Sequence, residues 1–319
     1  MVEISVVVPA YQRPDLLALT VRALLAQDLE PERYEVTVVD SSPDDVNQQL
    51  VELLQTQARC RLCCLRKPPQ GPGPSRNLGA AKANGAVIAF IDSDCVAAPG
   101  WLRAGLAAMN ADPRLGLVQG RTIPDPAVPM RSLTRSVRVE AESPIYETAN
   151  MFYRRSAFEQ SGGFPVDASP HTLRPLGGED TDLAWDVKRL GWRSAFAVDA
   201  LVMHAVLPIT PKQWLIDRPL FVFPRMVARH PQLRAHLFAR YFYDDAQAWL
   251  LLGLAGTLLA GLSPWTLLAW LPYVWRRSSD ATRAAGPLRL LRPLLYLPRD
   301  LCTMGLLLAG SLRFGALLL

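Results

Sequence analysis

A doubly wound, mainly parallel α/β sheet followed by an apolar helical region is the fold class that this chain of 319 residues predicts. Three observations carry it. Strand-like and helix-like patterns alternate over the first 110 residues. The strand-like runs are continuously apolar, as parallel strands covered on both faces must be. Residues 246–275 contain no Asp, Glu, Lys, Arg or His.

The elements follow in order. Ile4 to Val8 is a β-branched run and reads as the first strand. Pro14 opens a helix, where its missing N–H costs nothing, and Leu17, Val21, Leu24 and Leu25 form the apolar face. Val36 to Val39 is the second strand and ends at Asp40-Ser41-Ser42. A polar helix over roughly 44–57 and a strand near 61–65 come next. The loop GPGPSRNLG leads into an alanine-rich helix at 78–84 that Gly85 stops, which places Arg76 and Asn77 near a helix N-terminus. Strand 86–91 runs into FIDSD. Helices between strands at this spacing specify a parallel, doubly wound sheet.

Beyond residue 140 the texture changes. Thr148 to Tyr153 reads as a strand, Arg154-Arg155 as a charged helix start, and GGEDTDLAWDVKRLGWR as loop, helix and a stop at Gly191. RSAFAVDALVMH is a strand ending at His204. Trp101 and Trp192 read as packing residues. A catalytic domain over 1–205, a connecting helical segment over 206–245 and membrane-associated helices over 246–319 are expected. The run 246–275 has the length of a bilayer span, about 20 apolar residues. Pro264 divides it, so a re-entrant hairpin or two interfacial helices fit as well, and Arg276-Arg277 behind it suits a cytoplasmic flank. After a polar hinge, leucines mixed with scattered arginines suit helices in the headgroup region.

Composition narrows the classes. The net charge is +5 and the mean hydropathy +0.11. That balance suits an anionic partner such as a nucleotide or a phospholipid surface. Nucleic acid is disfavoured, because the arginines gather near apolar helices rather than among stacking aromatics. Met1 to Pro9 lacks a basic leader and reads as a strand rather than a signal peptide. The five cysteines, Cys60, Cys63, Cys64, Cys95 and Cys302, form no disulfide framework. Cys60, Cys63 and Cys64 lack the second pair that a zinc site needs, and read as buried thiols.

Asp92 and Asp94 stand one residue apart at the carboxyl end of a parallel strand, where open α/β sheets bind ligands. Their spacing points both carboxylates into one space, and like charges there need a neutralising partner. Hard oxygen ligands suit Mg²⁺ or Mn²⁺, which would bridge them to a diphosphate leaving group. Asp-x-Asp alone also fits a solvated turn. Other features share the edge. Asp40 ends the second strand, suited to a ribose hydroxyl or a base N–H. Tyr11, after Pro9, offers a stacking face and Arg13 a cation. Arg76 lies where an anion is favoured. Asp180 also fits a helix N-cap, and His204 a core histidine.

The pieces VVVPAYQRPDLL, VVDSS, GPSRNLGAAKANG, FIDSDCVAAPGWL, TANMFYRRSAFEQSGGF and GGEDTDLAWDVKRLGW, in this order over roughly residues 3–205, resemble a family 2 glycosyltransferase with the Rossmann-like GT-A fold. The resemblance implies that Pro9, Tyr11, Arg13 and Asp40 hold the base and ribose, with Arg76, Asp92 and Ser93 beside the donor. It implies Asp92, Asp94 and His204 as metal ligands, Glu179 on the acceptor side and Asp180 as general base. The activity implied is inverting transfer of one sugar from a nucleoside diphosphate sugar, UDP or dTDP favoured with GDP open. The Gln-x-x-Arg-Trp motif of processive members is absent, and Gln213-Trp214 does not match it. The apolar C-terminal part suggests a membrane-associated acceptor, lipid-linked or glycan. A nucleotide-dependent dehydrogenase on a similar sheet is the competing enzyme class, and the missing Gly-x-Gly-x-x-Gly after the first strand counts strongly against it. A non-catalytic sugar-nucleotide-binding scaffold is the alternative, although it would not need Asp180.

Overall fold

The computed structural model describes residues 1–166, 177–279 and 291–319. The chain forms two compact units, residues 1–130 with 135–207, and residues 131–134 with 208–319.

The first unit is built on one eight-stranded sheet. Its strands are β1 (Ile4–Ala10), β2 (Tyr34–Asp40), β3 (Arg61–Arg66), β4 (Val87–Ile91), β5 (Cys95–Ala97), β6 (Leu115–Pro124), β8 (Asn150–Arg154) and β9 (Arg193–His204). β7 (Thr134–Arg135) and β10 (Leu207–Pro208) are two-residue strands outside it. The order is β3-β2-β1-β4-β8-β6-β9-β5. β3, β2, β1 and β4 are parallel, and so are β6 and β9. β8 runs antiparallel between β4 and β6. β2 lies on one side of β1 and β4 on the other, so chain order reverses at β1, and ligands bind beyond the carboxyl ends of strands at such a point.

Successive residues of the central strands enter opposite cores. Val6, Val8, Ala89 and Ile91 pack under α1 (Pro14–Leu25), α2 (Val46–Gln55) and α4 (Trp101–Asn110). Val7, Ile88 and Phe90 pack under α3 (Pro72–Ala81), α5 (Arg155–Gln160) and α6 (Glu179–Arg189). A Cβ on Gly79 would stand 2.4 Å from the Val7 side chain, so glycine is what lets α3 lie this close to β1. α3 begins six residues before the expected position and ends at Ala81 rather than at Gly85. Pro72 and Pro74 occupy its first turn, where no N–H is needed. Arg76 therefore projects from the body of the helix, not from its N-terminus.

A buried carboxylate ties β1, β2 and the turn before β4 together. Glu35 is 3 % exposed, and its Oε1 accepts the Ser5 hydroxyl at 2.7 Å and the Asn84 backbone N–H at 2.7 Å. Burial alone would raise this carboxyl, but the Ser5 and Asn84 donors outweigh it and hold it below its ordinary value.

In the second unit, α7 (Pro211–Leu215) carries a capping box between Thr210 and Gln213. α8 (Phe223–Arg229), α9 (Asp245–Leu258), α10 (Leu271–Ser278) and α11 (Arg292–Phe314) follow. The apolar run 246–275 is broken, with α9 turning into a 3₁₀ segment, Pro264–Trp270, that folds back along it. Gly253 and Gly256 admit Trp270 and the Thr266 carbonyl there, where a Cβ would clash at 2.6 and 2.3 Å. No described helix is long and apolar enough to cross a membrane. α9 spans about 21 Å at 1.5 Å per residue, short of a hydrocarbon core of about 30 Å. The polar hinge falls mainly at 280–290, outside the described residues.

Glu35 generates a pH prediction. A carboxyl whose folded-state pKa is lowered stabilises above its unfolded pKa, and that contribution is lost as pH falls through the folded value. The wild-type urea midpoint should therefore drop more steeply below about pH 4.5 than that of Glu35→Gln, which should be less stable at neutral pH. Parallel midpoint-versus-pH curves would contradict this.

Candidate active site

The loop after β1 is strained. Gln12 and Arg13 both adopt left-handed backbone, φ 57° and 54°. Such conformations cost of order 1–3 kcal/mol each and persist where surrounding bonds enforce them. Here the Gln12 N–H donates to Ser42 Oγ at 2.7 Å, and the Asn47 amide donates to the Gln12 carbonyl at 3.3 Å. Pro9 sits in register with Val39, one step before this loop. Tyr11 is half exposed at its start.

Asp40 is fully buried at the end of β2. Its Oδ1 accepts from Ser42 N–H, Ser42 Oγ and Asn47 Nδ2 at 3.0, 2.6 and 3.0 Å. Its Oδ2 has no hydrogen-bond partner, although the Arg66 guanidinium is 3.7 Å away. One oxygen thus organises the loop and the other has acceptor capacity to spare.

Asp92, Ser93 and Asp94 form the turn between β4 and β5. The two carboxylates meet different cations. Asp92 Oδ1 accepts from Arg76 Nη2 at 2.7 Å. Asp94 lies 3.6 Å from the Arg13 guanidinium and 3.6 Å from His204 Nε2. Burial raises the Asp94 carboxyl; His204 opposes that rise and the Asp92 charge adds to it.

Arg76 is the hub. Its side chain is 5 % exposed and its guanidinium lies over the Phe164 ring. Nη2 reaches Asp92 and Nη1 reaches Asp180 Oδ1 at 2.9 Å, across 104 residues of chain. The two carboxylates are 31 % and 26 % exposed, so the cation is hidden while its acidic partners stay accessible. Asp180 Oδ2 accepts the Thr148 backbone N–H at 2.9 Å. The N-cap of α6 is Gly178, at φ 84°, so Asp180 lies in the first turn and is not the cap. Glu179 stands beside it, its carboxyl raised by burial and then by the Asp180 charge.

The ligand set admits a divalent cation. His204 Nδ1 is 2.8 Å from the Ala205 carbonyl, which in the neutral ring places the proton on Nδ1 and the lone pair on Nε2. Ser136 Oγ adds a contact to Nδ1 at 3.3 Å. In that tautomer Nε2 and Asp94 Oδ1, 3.6 Å apart, face each other as two acceptors, an arrangement relieved by a bound cation or by a proton on Nε2. Cys95 is the third metal-capable side chain within 4.8 Å. Burial pushes its thiol up, and a soft thiolate is a poor match for Mg²⁺ or Mn²⁺, which prefer oxygen ligands.

Every site residue named from sequence lies near the carboxyl ends of β1, β2 and β4, on α3 or α6, or at the end of β9. Asp92, Arg76 and Asp180 come together as one group, and Arg13, Asp94 and His204 as a second. The Thr148 N–H, Ser136 and the Ala205 carbonyl were not foreseen. Two act through backbone groups that leave no trace in side-chain identity.

A mostly parallel sheet whose acidic turn lies at the switch point, facing a second acidic pair at a helix start, is the GT-A arrangement of nucleotide-sugar-dependent glycosyltransferases. A sequence model of glycosyl transferase family 2 matches residues 5–167, and one of glycosyl transferase family group 2 matches 87–310. The chain belongs to glycosyltransferase family 2. It is 25 % identical over 236 residues to the glycosyltransferase AglE of Haloferax volcanii, covering 67 % of this chain and 75 % of that one. It is 28 % identical over 223 residues to the pre-mycofactocin glycosyltransferase of Mycobacterium tuberculosis, covering 65 % of this chain but only 45 % of that protein. Among solved structures, the mannosyltransferase PcManGT of Pyrobaculum calidifontis, in complex with GDP-Man and Mn²⁺, superposes with a TM-score of 0.62 at 20 % identity, covering 98 % of this chain and 86 % of that one. Residues 1–349 of TarS from S. aureus with UDP-GlcNAc give 0.52 at 19 % identity, covering 98 % and 92 %. Both show the fold.

Removing the hub should be costly. Arg76→Met leaves Asp92 and Asp180 without their cation, and should lose about 3 kcal/mol in urea unfolding, the low end for breaking a buried pair because the acids are partly solvated. Arg76→Lys should restore only part of this, since a point charge does not bridge two carboxylates as a planar fork does. Wild-type stability in the methionine variant would contradict the assignment.

Proposed function

We propose that this family 2 glycosyltransferase moves one sugar, with inversion, from a nucleoside diphosphate sugar to a hydroxyl of a membrane-associated acceptor, lipid-linked or glycan. Asp180 is the general base. The observation that carries this reading is the Arg76 bridge, in which one guanidinium bonds to Asp92 through Nη2 and to Asp180 through Nη1.

On the donor side, Pro9, Tyr11, Arg13 and Asp40 hold the base and ribose, and Arg76, Asp92 and Ser93 line the diphosphate side. UDP and dTDP are the favoured nucleotides; the GDP-Man complex of PcManGT keeps GDP in view. Asp94 and His204 would hold a divalent cation, Mg²⁺ or Mn²⁺, with Asp92, whose Oδ1 is bonded to Arg76, as the further carboxylate of the set. When bound, that ion supplies positive charge to the departing diphosphate.

Asp180 accepts the proton of the acceptor hydroxyl as that oxygen bonds to the anomeric carbon. The bond from the anomeric carbon to the diphosphate oxygen breaks on the opposite face, and the diphosphate departs as an anion. Attack opposite the leaving group inverts the anomeric centre. The Thr148 N–H and Arg76 keep the Asp180 carboxylate oriented through the step. Glu179, beside the base, lies on the acceptor side.

The apolar helices of the second unit support work at a membrane surface, with the chain peripheral or re-entrant.

Asp180→Asn should lower transfer by at least about 10²–10⁴-fold and leave nucleotide affinity, measured calorimetrically, near wild type. Retained turnover would remove the base assignment. Chelation with EDTA should stop transfer, and Mn²⁺ or Mg²⁺ should restore it. Full activity in EDTA would dismiss the cation.

A further inference from the structure

The second unit has an inverted surface. α11 carries Leu294, Pro298, Leu301, Gly305, Leu308 and Leu312 at alternating four- and three-residue steps, one stripe of a helix, and every one of them is exposed. Leu312 is 88 % exposed. The acid of the same helix points the other way. Asp300 is 3 % exposed and accepts from Arg277 at 2.7 and 2.8 Å and from the Tyr273 hydroxyl at 2.8 Å. Charge inside and leucine outside reverses the pattern of a helix facing water. The α9 hairpin repeats it, with Leu258 and Leu262 86 % and 85 % exposed and Trp265 75 % exposed. Tryptophan on an apolar rim favours the membrane interface. Contiguous apolar surface of this kind marks an interaction site.

Charge selects the occupant. Residues 208–319 hold 13 of the 34 Lys and Arg and 5 of the 29 Asp and Glu, a net +8, against −3 for residues 1–207. The basicity of the protein therefore lies wholly in the unit with the apolar face. Lys212, Arg240 and Arg313 are exposed in this unit. A second copy would bring +8 against +8, whereas an anionic leaflet brings the opposite sign.

Resting on the membrane-surface reading above, we propose that the second unit docks on a lipid surface through anionic headgroups, with the leucine stripe of α11 and the α9 hairpin in the acyl boundary and the exposed cations at the phosphates. The test is co-sedimentation of the full chain with vesicles of phosphatidylcholine alone or mixed with phosphatidylglycerol, at low and high salt. Each basic side chain near an anionic leaflet contributes roughly fivefold. Partitioning should therefore favour the mixed vesicles by on the order of 100-fold at low salt, and high salt should erase that preference. The combined Lys212→Gln, Arg240→Gln and Arg313→Gln variant should lose most of it while binding phosphatidylcholine as before. Leu294→Glu with Leu312→Glu should weaken binding to both vesicles. Equal, salt-independent partitioning to both would overturn the anionic preference and leave the membrane reading standing. Partitioning to neither would overturn both, and a concentration-dependent dimer would then identify a second copy as the cover.

Discussion

A single buried guanidinium holds the candidate active site together. Arg76 leaves α3 beneath the sheet edge and bonds to one acid after β4 and to another at the start of α6. Neither acid is near the other in sequence, and a buried arginine lacking either would be poorly compensated. The positions of α3, β4 and α6 are therefore coupled through one side chain. The close approach of α3 to β1, permitted by Gly79, brings Arg76 within reach of both acids.

The other site residues are held by their own bonds. Ser42 and Asn47 fix the strained Tyr11–Arg13 loop and the buried Asp40, and the Ala205 carbonyl fixes His204. Asp180 is held by Arg76 and the Thr148 N–H, with Glu179 next to it. The proposed function assigns the first set to the donor and the second to the acceptor, and Arg76 bonds to an acid of each kind, Asp92 and Asp180. Burial and like charge raise the carboxyls of both Asp94 and Glu179, the perturbation expected where carboxylates are crowded for chemistry.

Much of the sheet was legible because its strands are buried on both faces and their apolar runs are unbroken. β1, β2, β3, β4, β8 and β9, and the helices α1, α2 and α6, lie where periodicity puts them. The start of α3 was not legible, because PGP reads as a loop unless prolines in a first turn are recognised as harmless. The direction of β8 was hidden too, since a run apolar on both faces carries no sign of parallel or antiparallel pairing. In the site, Asp92 and Asp94 were readable as a pair, but their separate partners were not. The Arg76–Asp180 bond joins residues 104 apart, and the Thr148 N–H has no side-chain signature. The helical break in 246–275 was foreshadowed by Pro264, whereas the glycines that let the chain fold back there were not singled out.

The most direct test of the central claim is an anomalous difference map from crystals soaked in Mn²⁺ and UDP. The account predicts one peak within coordination distance of Asp94 and His204, with the diphosphate on it and the uridine beside Tyr11 and Asp40, and Asp180 left free to face an acceptor. A peak elsewhere, or a nucleotide bound away from the ends of β1 and β4, would contradict it.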